Sequence, residues 1–229
     1  MKLLSRIYDH HQSNSIATAL RNERLKLLNR LLSTVPKPLR ILDVGGRSAF
    51  WQSTGLLDSG VTDVEIVLLN TSESELGEIS PHPRLRSCVG DARDMRQFQT
   101  KAFDVVFSNS VIEHVGVYAD QALMAQEIQR VGKRYFIQTP NFYFPIEPHF
   151  VFPAFHWLPI AWRVWLVTHF SLGWYAKFDS SVRAREEVES IRLLTERKFR
   201  YLFPGSHLFR ERFLGITKSF VVYGGWNIE

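Results

Sequence analysis

The chain predicts an α/β domain: a mostly parallel sheet of seven strands, helices on both faces, and an aromatic helical insertion after the fifth strand. Three observations carry that reading. Short apolar runs alternate with amphipathic stretches from Leu39 to Gln138. The runs are apolar at consecutive positions, as in strands covered on both faces. After Pro140 the alternation gives way to a segment crowded with Phe142, Phe144, Phe150, Phe152, Phe155, Trp157, Trp162, Trp165, Phe170, Trp174 and Tyr175. At 229 residues there is room for one large domain and little for two. The expected organisation is therefore one domain over 1–229: an N-terminal helical segment (1–37), a sheet core (38–140), the aromatic insertion (141–194) and a C-terminal helix and strand pair (195–229).

Each element has its own signal. Ile16, Leu20, Leu25, Leu28 and Leu32 fall near helical spacing and stop before Pro36 and Pro38, predicting a leading helix from Ser15 to Leu32. Leu39 to Val44 is a buried strand that runs into the tight turn at Gly45 and Gly46, with a helix expected from Phe50 to Asp58. Val64 to Leu69, Leu85 to Val89 and Phe103 to Phe107 read as the next three strands. Tyr118 to Val131 reads as a helix and Arg134 to Gln138 as the fifth strand. Thr195 caps a short helix from Glu196 to Leu202, and strands at about Leu208 to Phe213 and Lys218 to Tyr223 close the chain.

Composition narrows the function classes. Hydrophobic residues at 45% and charged residues at 22% exclude a disordered chain or a coiled coil. The net charge of 28 − 23 = +5 and a pI near 9.4 permit nucleic acid as a partner without indicating it. Cys88 is the one cysteine, which excludes an internal disulfide or a Cys-rich zinc site and fits a reducing, cytoplasmic compartment. Met1 to Tyr8 reaches His10 and His11 before any apolar stretch develops, so no export signal is expected. Pro153, His156, Pro159, Arg163 and His169 interrupt Phe150 to Tyr175, which argues against a spanning helix of about 20 apolar residues.

In an open parallel sheet ligands sit at the carboxyl ends of the strands, so the residues after each strand are the candidates. Gly45 and Gly46 follow the first, and glycine there lets backbone approach a ligand. A dinucleotide fingerprint would need glycine where Arg47 and Phe50 stand, which disfavours NAD. Asn70 ends the second strand, Gly90 to Asp94 follow the third, and Ser108 to His114 the fourth. Asn70 can accept one ribose hydrogen bond and donate another, or simply form a turn.

The stretches Ile41 to Gly46 (ILDVGG), Gly90 to Asp94 (GDARD) and Phe103 to Val115 (FDVVFSNSVIEHV), with the terminal strand pair, resemble the class I S-adenosylmethionine-dependent methyltransferases of Rossmann-like fold. The likeness is to the small-molecule branch called type 11 or type 23. That resemblance implies S-adenosylmethionine as cofactor, with Asp43, Gly45 and Gly46 at its methionine moiety and Asn70 at the ribose. Asp91 and Ala92 would meet the adenine, and Ser108 and Asn109 would lie under the sulfonium. Arg47 and Ala49 replace glycines of the usual turn, and Asn70 replaces the usual acid, where Asn70→Asp is expected to keep or tighten binding. Ser108 to Val111 lacks the aromatic, proline-bearing run of amino-group DNA methylation, and Cys88 is misplaced for cytosine C5 chemistry.

Methyl transfer to oxygen also requires loss of the acceptor proton. His114, beside Glu113, and His149, within Ile146 to His149, are the candidate bases; no metal site is expected. The aromatic insertion is expected to act as a lid over a small or lipid-linked acceptor, with a peripheral membrane contact as the other reading. An RNA or protein acceptor, and a cofactor-binding module without catalysis, remain as rivals.

Overall fold

The computed structural model describes residues 16–52, 54, 56, 57, 63–76 and 82–227. The readings of Met1 to Tyr8, His10, His11, Ser15 and Asp58 fall outside these residues. Helix α1 (Ile16–Ser33) leads into β1 (Leu39–Val44), α2 (Ser48–Gln52), β2 (Val64–Asn70), α3 (Glu73–Leu76), β3 (Leu85–Val89) and β4 (Val105–Asn109). A 3-10 turn (Ile112–His114), α4 (Tyr118–Val131) and β5 (Tyr135–Pro140) follow. Among the described residues the insertion then forms the two-residue strands β6 (Ile146–Glu147) and β7 (Phe152–Pro153), a second 3-10 turn (Phe155–Trp157), α5 (Ile160–His169) and α6 (Ser181–Ser190). Helix α7 (Glu196–Leu202) and the hairpin β8 (His207–Phe213) and β9 (Ile216–Gly224) end the domain.

The seven-stranded sheet has the order β3-β2-β1-β4-β5-β9-β8. Strand β9 lies antiparallel to both of its neighbours while the remaining pairings are parallel, which is the mostly parallel sheet expected from sequence. From β1 the chain winds to β2 and β3 on one side and to β4 and β5 on the other, so a crevice opens between the ends of β1 and β4. One face buries Leu28, Ile41, Trp51, Ile66, Phe107 and Phe136 beneath α1 and α2. The opposite face buries Leu42, Phe103, Val106, Met124, Ile128 and Phe199 beneath α4 and α7. Each large aliphatic side chain sealed there contributes on the order of 1.5–3 kcal/mol, so helices on both faces are what make these all-apolar strands stable.

Several element boundaries differ from expectation, three of them for a clear local reason. Strand β4 begins at Val105 instead of Phe103, because the backbone N–H of Arg40 donates to Asp104 Oδ2 (2.8 Å) and the ladder to β1 starts only at Val105. Phe103 is left with an isolated bridge to Gly132. Strand β5 runs on to Pro140, which pairs with Ser219 of β9. Helix α2 starts at Ser48 because the turn ends there, ahead of the first apolar residue that gives a periodic signal.

The insertion has a small core of its own, in which Phe150, Phe155, Val167, Leu172, Ala184 and Val188 are buried together. Its tryptophans are not part of that core: Trp162 is 63% exposed and Trp165 49%. No helix among the described residues is long and apolar enough to cross a membrane.

Candidate active site

A cavity of about 950 Å³ fills the crevice at the sheet's carboxyl edge. Asp43, Gly45, Gly46, Asn70, Asp91, Ala92, Asn109 and His114 line it, so seven of the eight residues assigned to the cofactor, and one of the two candidate bases, face one space. Phe50, Phe107, Val111, Tyr175 and Glu187 complete the walls without having been singled out from sequence. Val111 leaves a signal only in three dimensions, as the side chain that a methyl on Gly45 would strike.

The first turn is built for close approach. Gly45 adopts φ +76°, a left-handed conformation that favours glycine, and its N–H donates to Leu69 O (2.7 Å), fastening the turn to β2. A Cβ on Gly46 would overlap the carboxylate of Asp43. Asp43 is buried, and its Oδ2 accepts from Trp51 Nε1 at 2.6 Å. Burial pushes its pKa up to about 7, against the opposing pull of the indole hydrogen bond. A cationic ligand brought to this carboxylate would relieve that penalty. Trp51 was legible only as an apolar residue of a helix, and the pairing with Asp43 eight residues earlier is what fixes the acid's rotamer.

Asn70 carries a structural duty at the cavity wall, since its Nδ2 donates to Gly46 O at 2.8 Å and so braces the glycine turn. Asp91 is held in a fork by Arg93, with Nε and Nη2 at 3.0 and 2.6 Å, and it also accepts from the Arg93 backbone N–H at 2.8 Å. That pairing keeps the Asp91 carboxyl below its usual range. Ala92 is nearly buried beside it. Asn109 offers a buried Oδ1 with no hydrogen-bond partner among the described residues.

Ser108 corrects the sequence reading. It is wholly buried, it does not line the cavity, and its Oγ donates to Val44 O (3.0 Å), tying β4 to β1. Alternation along β4 explains this: Asn109 faces the crevice edge, so its predecessor points into the layer beneath.

The two candidate histidines meet although 35 residues separate them. His114 Nε2 and His149 Nε2 stand 3.0 Å apart, with the rings edge to face at 4.8 Å between centroids. The β4–β5 pairing brings them together, since the 3-10 turn after β4 and the segment after β5 emerge side by side. His149 Nδ1 lies 2.6 Å from Glu147 Oε1, and the buried Glu147 also accepts from the backbone N–H groups of His149 (2.8 Å) and Phe150 (2.6 Å). Burial lowers the His149 pKa, but the Glu147 carboxylate outweighs it and the net shift is upward. His114 is held below the usual imidazole range by its packed surroundings and by His149. Glu113, fully buried, accepts from Thr139 Oγ1 (3.0 Å) through Oε2, while Oε1 has no partner among the described residues. Desolvation raises its pKa to about 7. Glu147 and Thr139 were not assigned roles from sequence; their only signal there was adjacency to His149 and the end of β5.

The lid expectation needs correction too. Tyr175, Glu187 and Ser190 are the insertion residues that reach the cavity, with Tyr175 Oη donating to Glu187 Oε1 (2.7 Å); Trp162 and Trp165 stay outside it.

Known proteins share this fold. A family model described as a methyltransferase domain matches residues 42–135, the stretch that supplies every strand end around the crevice. Residues 42–135 thus match a methyltransferase domain, and the sheet around them has the Rossmann-like class I methyltransferase fold. Its fold recurs in a methyltransferase from Aquifex aeolicus (13% identity, TM-score 0.51, 87% of each chain). It recurs also in the Haloferax volcanii complex of a methyltransferase with its activator Trm112 (15%, 0.51, 90% of this chain and 91% of that one). The methyltransferase domain of a citrinin polyketide synthase is a third case (11%, 0.57, 90% and 52%). At such identities the likeness is one of fold. Two curated Mycobacterium tuberculosis proteins of uncharacterized function are 36% identical over 64 residues, a stretch that is 28% of this chain and 22% of theirs.

Proposed function

We propose that the domain transfers a methyl group from S-adenosylmethionine to a hydroxyl of a small, ring-bearing or lipid-linked acceptor. The observation that carries this is the His114–His149 contact, since His114 lines the same cavity as the glycine turn. The residues present fit the cofactor: a turn that admits no Cβ at Gly46, the buried acid Asp43, and the unpartnered Asn109 Oδ1. Asp43 and the Gly45–Gly46 backbone would hold the methionine portion, Asn70 the ribose, and Asp91 and Ala92 the adenine. When bound, the cofactor supplies a methyl carbon activated by its sulfonium. An acceptor hydroxyl that takes this methyl would have to give up its proton. His114, which lines the cavity, with His149 beside it would take up that proton, and Phe50, Phe107 and Tyr175 would give an acceptor apolar walls that exclude water.

The exposed aromatics favour a lipid-linked acceptor over a free one. Trp157, Trp162, Trp165, Phe170 and Trp174 are each about half exposed or more, which suits an interface between water and acyl chains. The test has two parts. Calorimetric titration with S-adenosylmethionine and its demethylated product should give one site per chain, and absence of heat with both ends the assignment. Incubation of methyl-labelled cofactor with water-soluble and lipid extracts should then label a hydroxyl-bearing lipid. Label only in RNA or protein would transfer the proposal to those acceptors.

A further inference from the structure

We propose that Glu113, His114 and His149 form a binding site for a divalent transition-metal ion of the zinc type. One ligand atom from each residue falls within 4.8 Å of the other two. The two Nε2 atoms, 3.0 Å apart, already stand at the spacing that a shared ion imposes: metal–nitrogen distances of about 2.0–2.1 Å at tetrahedral or square angles separate two ligands by about 3.0–3.4 Å. The carboxylate is the farther member and closes by about one to two ångströms on an ion. Two imidazoles and one carboxylate suit zinc, cobalt or manganese and do not suit calcium or magnesium, which take oxygen ligands.

The supporting shell is what sets this cluster apart from a chance meeting of polar side chains. Glu147 receives Nδ1 of His149 at 2.6 Å, which fixes the ring with Nε2 directed at His114. Glu147 is itself immobilised by the backbone N–H groups of His149 and Phe150. Carboxylate–histidine–metal arrangements of this form orient the ligand and raise its basicity. Thr139 fills one oxygen of Glu113 and leaves buried Oε1 without a partner, which is the oxygen a cation would take. Three protein ligands leave a fourth position open, and His114 lines the cavity in which an acceptor hydroxyl would lie. A hydroxyl held against such an ion gives up its proton to solvent more readily, so the ion would activate the acceptor in the methyl transfer proposed above. That activating role rests on the methyltransferase reading; the binding itself does not.

The test uses the full chain stripped with a chelator and titrated calorimetrically with zinc chloride, and separately with cobalt chloride followed by visible absorption. Expected is one ion per chain, tetrahedral or five-coordinate cobalt bands, and loss of both in His114→Ala and in His149→Ala, whose folding is checked by circular dichroism. Glu147→Gln, which can keep one oxygen as acceptor for His149 Nδ1 but removes the charge, should weaken zinc by about 10- to 100-fold. Stoichiometric binding that survives both histidine variants, or no binding above that of the double variant, overturns the site. S-adenosylmethionine titrated into zinc-free protein separates the two readings: heat there with no zinc site leaves the methyltransferase standing and removes the metal. Zinc binding without cofactor binding does the reverse.

Discussion

At the β1–β3 end of the cavity, the lining residues stand at strand ends or just after them: Gly45 and Gly46, Asn70 as the last residue of β2, and Asp91 with Ala92. At the β4 end they are side chains from two segments 35 residues apart, fastened to each other by imidazole, carboxylate and threonine contacts. The first end is shaped by backbone and fails when an atom is added. The second is shaped by side-chain chemistry and fails when an atom is removed. It follows that substitutions should separate cofactor affinity from turnover cleanly, according to which end they touch.

The sharpest separation is expected from His149→Ala. Removing the imidazole leaves every strand-end residue in place, so affinity for S-adenosylmethionine should stay within about threefold while turnover on the acceptor falls by about 10²- to 10⁴-fold. Calorimetry and labelled-methyl transfer measure the two quantities on one sample. A large loss of cofactor affinity would show that the ends are not independent.

Gly46→Ala should do the opposite. The added methyl would occupy the space of the Asp43 carboxylate, which cannot withdraw because Trp51 holds it at 2.6 Å in the buried layer. Overpacking of this kind costs about 1–3 kcal/mol. Here it falls on the turn itself, so cofactor affinity should drop by roughly 30-fold or more while the His114–His149 contact is untouched. Histidine ring signals in NMR that match wild type, beside lost cofactor heat, are the expected pair of results.

The contrast between the ends also explains what the sequence disclosed. Short contiguous signals found the first end: ILDVGG reports a strand and its turn within six residues, and GDARD another. Strand and helix boundaries followed wherever apolar spacing is regular, as in α4 over Tyr118–Val131. The second end was visible as separate residues, Glu113 with His114 and Glu147 with His149, whose meeting depends on β4 lying next to β5. Sequence left open whether His114 or His149 is the base, and expected no metal there. Ser108 was misassigned because a residue at a strand end can face the crevice or the layer beneath it, and only register decides. The aromatic insertion was located correctly but not its exposure: a small core of Phe150, Phe155 and Val167 suffices to fold it, which frees the indoles.

A smaller, pH-dependent effect on cofactor affinity should appear at Asp43. Its folded pKa is raised to about 7, so in the cofactor-free protein the group is protonated below that pH. The cofactor's ammonium favours the ionised form, and binding therefore releases a proton below pH 7. Affinity should rise as pH increases toward 7, by up to about tenfold per unit, and level off above it. Asp43→Asn should flatten the profile. In the absence of cofactor the sign reverses: a raised carboxyl contributes stability that is present below its unfolded pKa and lost as pH rises through 7, so thermal midpoints should fall over that interval and level off above it.

The smallest effect is expected at Asn70, and it reverses the reading made from the sequence. On ribose contacts alone, Asn70→Asp would keep or tighten cofactor binding, because a carboxylate accepts more strongly from two hydroxyls. In the structure, however, Asn70 Nδ2 donates to Gly46 O at 2.8 Å, and an aspartate has no proton to give. The substitution would set a carboxylate against a carbonyl oxygen and release the turn that positions Gly45 and Gly46. Losing that hydrogen bond costs about 0.5–1.5 kcal/mol, roughly 2- to 12-fold in affinity, partly offset by the stronger ribose contact. The net expectation is a modest weakening of S-adenosylmethionine binding, measured by calorimetry. Asn70→Ser, which keeps a short donor without adding charge, should lie between the two. Tighter binding by Asn70→Asp would mean that the ribose, and not the glycine turn, is the principal partner of this side chain.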